Sequence, residues 1–272
     1  MTTTHDWRIR YAVPLGVLSA LLGIGALALS KAVGIEPSTT QPNGVLYYMI
    51  PLLVVVVLYA VIRPRGAFSS FGRRTGQGIR AGWYLMAVAL VLGFLSYLAI
   101  PNESYVRPSA GTIAVYLAVA LVTAVFEELL CRGLIQRVIM RAFVARGHTS
   151  WRAIVVSSLI FALMHLANLT VHPTYVVGTF TQVIYTLCVG IALGTVYYLT
   201  GDLLAAIILH AVFNTFGMIS DLFLAPTAQA VADMPLFAAL LQIVALLPAI
   251  LIARRLIRRQ GERGHTGRVA HE

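Results

Sequence analysis

Eight apolar runs, most of them long enough to cross a bilayer, constrain this chain more than any other feature. They cover Tyr11 to Ile35, Val45 to Ile62, Gly82 to Ile100, Gly111 to Leu130, Ala153 to Leu169, Val176 to Thr200, Leu203 to Leu224 and Leu236 to Ile252. A hydrocarbon core about 30 Å thick takes roughly 20 helical residues to cross, so each run reads as a membrane span. Composition agrees, with 59% hydrophobic and 11% charged residues against about 25% charged in soluble domains. The expected fold is all-α: a polytopic transmembrane helical bundle of about eight spans, forming a single domain over residues 1–272, with no soluble domain and no internal repeat.

The net charge of +10 does not point to nucleic acid, because the basic residues sit in short segments between spans. One alternating set of segments holds Arg8 and Arg10, then Arg63 to Arg80, then Arg132 to Arg152, then Arg254 to Arg268; the opposite set holds only Lys31 and Arg107. By the positive-inside rule both termini are expected in the cytoplasm, with residues 253–272 as a basic cytoplasmic tail. The first run, at about 25 residues, exceeds the 7 to 15 of a signal peptide, so a retained helix is expected. Gly133 to Arg146 spaces Arg137 and Arg141 four apart among Leu134, Ile135, Val138, Ile139 and Phe143, the pattern of a short amphipathic helix on the cytoplasmic face. Basic residues that are nearly all arginine fit a GC-rich bacterial genome, and hence a bacterial plasma membrane.

Ionisable groups inside a membrane are costly and usually mark function. Of ten acidic residues, only Glu127 and Glu128 lie well inside an apolar run; of seven histidines, only His165 and His210 do, with Asn214 four residues beyond His210. His210 and Asn214 share one helix face at i and i+4, as do Phe161 and His165. Glu128 and Arg132 have the same spacing with the acid first, the favoured order for an ion pair. Glu127 lies about 100° around the helix from Glu128. The expected division of labour has Arg132 as structural support for Glu128 while Glu127 faces the histidines. Counted at about 1.5 Å per residue, Glu127 lies about 5 Å, His210 about 10 Å and His165 about 18 Å from the cytoplasmic ends of their runs.

At these residues the sequence resembles the CAAX prenyl protease and bacteriocin-processing family, also called Abi, of intramembrane peptidases. The first motif, EExxxR, stands at Glu127 to Arg132, the second, FxxxH, at Phe161 to His165, and the third, HxxxN, at His210 to Asn214. Three ordered motifs on separate spans place the catalytic core at about 111–224. The resemblance implies an endopeptidase acting on a peptide or membrane-protein substrate, prenylated or bacteriocin-like, by glutamate-activated water. Its catalytic set would be Glu127, Glu128, His165, His210 and Asn214, with Glu127 as general base and later acid. Two forms stay open: His165, His210 and Glu127 holding Zn²⁺, or the same residues acting without metal, the histidines and Asn214 stabilising the oxyanion. The rival readings are a non-catalytic immunity or assembly factor and a proton-coupled transporter.

Overall fold

The computed structural model describes residues 7–171, 173–225 and 234–269, with the side chains of residues 171 and 261–269 excepted. Both ends of the chain beyond these limits, and so the placement of the termini, lie outside the described residues.

Each apolar run becomes helical, except that the run Leu203 to Leu224 breaks at Met218 into two helices, the first too short to count as a span. After a single turn, Trp7–Arg10, the order is α1 (Ala12–Ala32), α2 (Asn43–Ile62), α3 (Thr75–Ala81), α4 (Trp83–Leu98), α5 (Ala110–Ala145), α6 (Ser150–Thr170), α7 (Val176–Thr200), α8 (Leu203–Gly217), α9 (Ile219–Phe223) and α10 (Leu236–Val269). By length and composition six of the described helices can cross a membrane; α3 with α4, bent by 61°, would make a seventh, and α8 is apolar but has only 15 residues. The chain is an integral membrane protein built as an all-α bundle. Among the described residues the only β pairing is an isolated bridge from Tyr105 to Leu224.

Sequence accounts for the packing. The face that α1 buries consists of Ala12, Gly16, Ser19, Ala20, Gly23, Ala26 and Ser30, small residues that let helices approach closely where lipid offers no hydrophobic drive. A Cβ on Gly23 would come within 2.7 Å of Leu130, and one on Gly16 within 3.1 Å of Ile135, so this face lies against α5. Leu18, Leu21, Leu22 and Leu29 of the same helix are exposed, as a lipid-facing side requires. Gly78 and Gly82 do the same for α3 and α4: a Cβ on either would strike Ala205 or Leu209 of α8.

Two stretches run on where the sequence suggested a boundary. The segment Gly133 to Arg146 is helical and amphipathic as read, but it is the continuation of the fourth span. Helix α5 has 36 residues, about 54 Å at 1.5 Å per residue, well beyond a hydrocarbon core of about 30 Å. Glu127 and Glu128 therefore stand half-way along a helix, and the depth of about 5 Å was counted from Leu130, which is not the end of that helix. Likewise the basic tail begins as helix, because α10 continues past Ile252, with Ala253 buried against Ile154 and Ile191.

Candidate active site

Three helices carry the five candidate residues, and four of them, Glu127, Glu128, His165 and His210, cluster around Phe161 and Arg132. The two glutamates lie in α5, His165 ends the regular part of α6, and His210 and Asn214 lie on α8. Immediately after Glu128, residues Leu129–Gln136 form a π-helix, a widened turn that in other proteins often accompanies a functional site. The Tyr59 hydroxyl donates to the Leu129 carbonyl at 2.9 Å. Gly133 makes room for it, since a Cβ there would collide with that hydroxyl.

The adjacent carboxylates have opposite environments. Glu128 is fully buried, and its Oε1 accepts from Arg132 Nη1 at 2.5 Å and lies 2.7 Å from His210 Nδ1. Its Oε2 is buried with no hydrogen-bond partner among the described residues. Glu127 keeps 18% of its side chain exposed, and its Oε2 lies 3.4 Å from His210 Nε2. A carboxylate only accepts, so His210 donates through Nδ1 to Glu128 and turns Nε2 toward Glu127. The expected pairing of Glu128 with Arg132 is present, and Glu128 has a second partner that spacing did not reveal: it orients the histidine. Glu127 faces His210, as expected.

Phe161 ties the three helices together. The Arg132 guanidinium lies over its ring at 4.5 Å, while the rings of His165 and His210 meet it edge-on at 5.0 and 6.0 Å. His165 Nδ1 lies 3.1 Å from the Phe161 carbonyl, which again fixes Nδ1 as the donor and leaves Nε2 for another partner. The Asn214 backbone carbonyl accepts from Met218 N, while its side-chain amide makes no hydrogen bond among the described residues.

A second pair of spaced residues supports the site and went unread in the sequence. Arg132 Nη2 and Gln136 Nε2, four apart, donate to the carbonyls of Gly190 and Gly194, also four apart, at 3.4 and 2.8 Å. A Cβ on Gly194 would come within 2.7 Å of Gln136 Oε1. The signal was a small-xxx-small pattern, Gly190 to Gly194, inside an apolar run. Asp202 was also passed over as a helix-end residue. It is buried, and it caps α8 through the amides of Leu204 and Ala205 while accepting from Gly72 N, Arg74 N and Thr75 Oγ1 at the start of α3. One carboxylate thereby fixes the helix that carries His210.

The two rings hold the tautomer a metal-binding histidine also uses, Nδ1 on a protein acceptor. Yet no three His, Cys, Asp or Glu side chains among the described residues are gathered so as to hold an ion. The set His165, His210 and Glu127 does not form a metal site in this arrangement.

Fold and site define the class first: a polytopic membrane protein with two carboxylates and two histidines at the centre of its bundle. Residues 109–216 match the family described as Type II CAAX prenyl endopeptidase Rce1-like. That segment carries all three motifs and supports the resemblance to the CAAX prenyl protease and bacteriocin-processing family, and with it a CAAX-type intramembrane endopeptidase in general. No curated protein and no solved structure matches the chain.

Proposed function

We propose that the protein hydrolyses a peptide bond of a membrane-associated substrate, with Glu127 activating the water. The observation that carries this reading is the inequality of the two glutamates: one buried and committed to Arg132 and His210, the other partly open and 3.4 Å from the ring that its neighbour orients. Glu127 takes the proton of the attacking water and returns it to the leaving amine. His210, held through Nδ1, sits against Glu127 and steadies it as its charge changes. The uncommitted amide of Asn214 donates to the developing oxyanion, and His165 adds a second donor when its ring is protonated. Among substrates, prenylated or bacteriocin-like polypeptides anchored in the bilayer fit the family resemblance.

The test is cleavage of a membrane-embedded or prenylated reporter in reconstituted vesicles. Glu127→Gln keeps size and hydrogen bonding but removes the proton acceptor, so folding survives while turnover falls by at least about a hundredfold. Unchanged turnover would sink the mechanism. A proton-coupled transporter would lose flux with no cleavage to lose, and an assembly factor would lose neither.

A further inference from the structure

We propose that Tyr185 is a further catalytic residue of the peptidase reading, on which this assignment rests: its hydroxyl donates to the oxyanion beside the Asn214 amide. Helix register places it there. Asn168 Nδ2 of α6 donates to Gln182 Oε1 of α7 at 2.7 Å, and a Cβ on Gly190 of α7 would lie 3.2 Å from the Phe161 ring of α6. The two helices therefore run antiparallel, with Asn168 level with Gln182 and Phe161 with Gly190. Between those two contacts, the residue of α7 level with His165 is Tyr185. Its ring lies 6.1 Å from that of Phe213, the neighbour of Asn214 on α8. Tyr185 thus stands between His165 and the turn that carries Asn214, and the charge of Glu127 reaches its hydroxyl. The side chain is only half-buried, as befits a group that meets a substrate.

The neighbours of Tyr185 leave it a proton to share. Gln182 Oε1 is taken by Asn168, so the Gln182 group that meets the Tyr185 hydroxyl is Nε2, which only donates. The phenol oxygen accepts there, and its O–H is left to donate elsewhere. The remaining donors fall short of what an oxyanion needs. Asn214 offers one side-chain amide, and His165 gives Nδ1–H to the Phe161 carbonyl, so its neutral Nε2 only accepts. A phenol keeps its proton at neutral pH and donates without first being charged. The step moves no proton on Tyr185. As the water oxygen bonds to carbon, the carbonyl electron pair shifts to oxygen, where Tyr185 and Asn214 hold it. The pair returns as the C–N bond breaks and Glu127 delivers its proton to the leaving amine.

Steady-state kinetics of full-length protein on the reporter in reconstituted vesicles test the assignment, with Glu127→Gln run alongside. Tyr185→Phe keeps the ring and its packing, so it should fold while kcat falls about a hundredfold at nearly unchanged KM, the mark of an interaction made only in the transition state. Tyr84→Phe is the control for deleting a hydroxyl: Tyr84 packs against the same apolar cluster, but its hydroxyl is spent on the Ala245 carbonyl at 2.6 Å, and kcat should not change. Asn168→Ala leaves Tyr185 intact but frees Gln182 to turn its oxygen to the phenol. It should lower kcat about tenfold, which keeps the test decisive if Tyr185→Phe fails to fold. Folded Tyr185→Phe with parental kcat, a rise in KM alone, or an equal loss in Tyr84→Phe would each overturn the assignment, as would parental kcat in Asn168→Ala should Tyr185→Phe not fold. In all these cases an inactive Glu127→Gln leaves the peptidase reading standing. Turnover retained by Glu127→Gln would remove that reading and the role of Tyr185 with it.

Discussion

Arg132→Gln separates a buried ion pair from a merely buried arginine. Arg132 is 2% exposed and Glu128 fully buried, so removing the guanidinium strands a carboxylate, at a cost of about 3 to 5 kcal/mol. His210 Nδ1 remains 2.7 Å from the same oxygen, which offsets part of the loss and puts the charge term near the low end, about 3 kcal/mol. The stacking on Phe161 at 4.5 Å contributes about 2 kcal/mol more when desolvated. Because both effects come from one group they do not add fully, and about 4 kcal/mol, roughly a thousandfold in the folding constant, is expected.

Equilibrium unfolding in mixed micelles, titrated with an ionic detergent and followed by circular dichroism, measures the difference. Arg132→Lys should recover about half of the loss, since it keeps the charge but not the planar fork. The decisive variant pairs Glu128→Gln with Arg132→Gln, which leaves no uncompensated charge and should be about 2 kcal/mol more stable than Arg132→Gln alone. A single variant within about 0.5 kcal/mol of the parent, or a double variant destabilised by the sum of the singles, would refute the reasoning.

Gly133→Ala should destabilise by about 1 to 3 kcal/mol through overpacking against Tyr59, and Tyr59→Phe in the same chain should relieve part of that, as the same unfolding titration would show. Asp202→Ala should cost about 3 kcal/mol at neutral pH, about 1 for the lost cap and the rest for the bonds to α3. Burial works to raise the Asp202 pKa, but the hydrogen bonds from Arg74, Gly72, Thr75 and Ala205 outweigh it and hold the carboxyl below its ordinary value. A depressed folded-state pKa gives stability that is present above the unfolded value, about 3.9, and is lost as pH falls through the folded one. The difference between parent and Asp202→Ala should therefore shrink only below about pH 4, and a gap closing near pH 7 would contradict it. With no three donors among the described residues placed to hold an ion, exhaustive chelation should leave turnover of the reporter unchanged; its abolition, with recovery on adding Zn²⁺, would reinstate the metal form.

How much of this was legible in the sequence depended on whether the signal was local. Helix existence was, because a continuous apolar run has one reading in lipid, and Val176 to Thr200 was even bounded to the residue; the count of eight spans was not, since six described helices, or seven with the bent pair, are long enough to cross. The pairing of Glu128 with Arg132 was legible too, since both lie on one helix. What failed was the boundary at Leu130: the helix runs on through Arg132, whose charge is met inside the bundle by Glu128, the face of Phe161 and the Gly190 carbonyl. The second partner of Glu128, the role of Asp202 and the docking of Gln136 on Gly194 all join residues more than 50 positions apart, and no periodicity in one chain reports such pairs.

The π-turn gives the divided roles of the glutamates a physical basis. In a regular helix neighbours 100° apart already face different ways, and at a three-helix junction two adjacent carboxylates that faced the same way would repel. The widened turn from Leu129 to Gln136 carries Arg132 and Gln136 onto the carbonyls of α7, which draws Glu128 inward with its guanidinium partner and leaves Glu127 on the partly open side. That turn in turn depends on Gly133, since only the missing Cβ lets Tyr59 reach the Leu129 carbonyl. The EExxxR motif is thus half of a device whose other half is the glycine after it and the Gly190 to Gly194 stripe opposite. Its parts are coupled, so Gly194→Ala, far from any reacting atom, should displace Gln136 and lower turnover of the reporter by about tenfold or more, because a misplacement of about 1 Å at a catalytic group costs up to about a hundredfold. Reconstituted vesicles with the same reporter measure it, and Gly194→Ala protein that folds with full turnover would show that the stripe only packs the helices together.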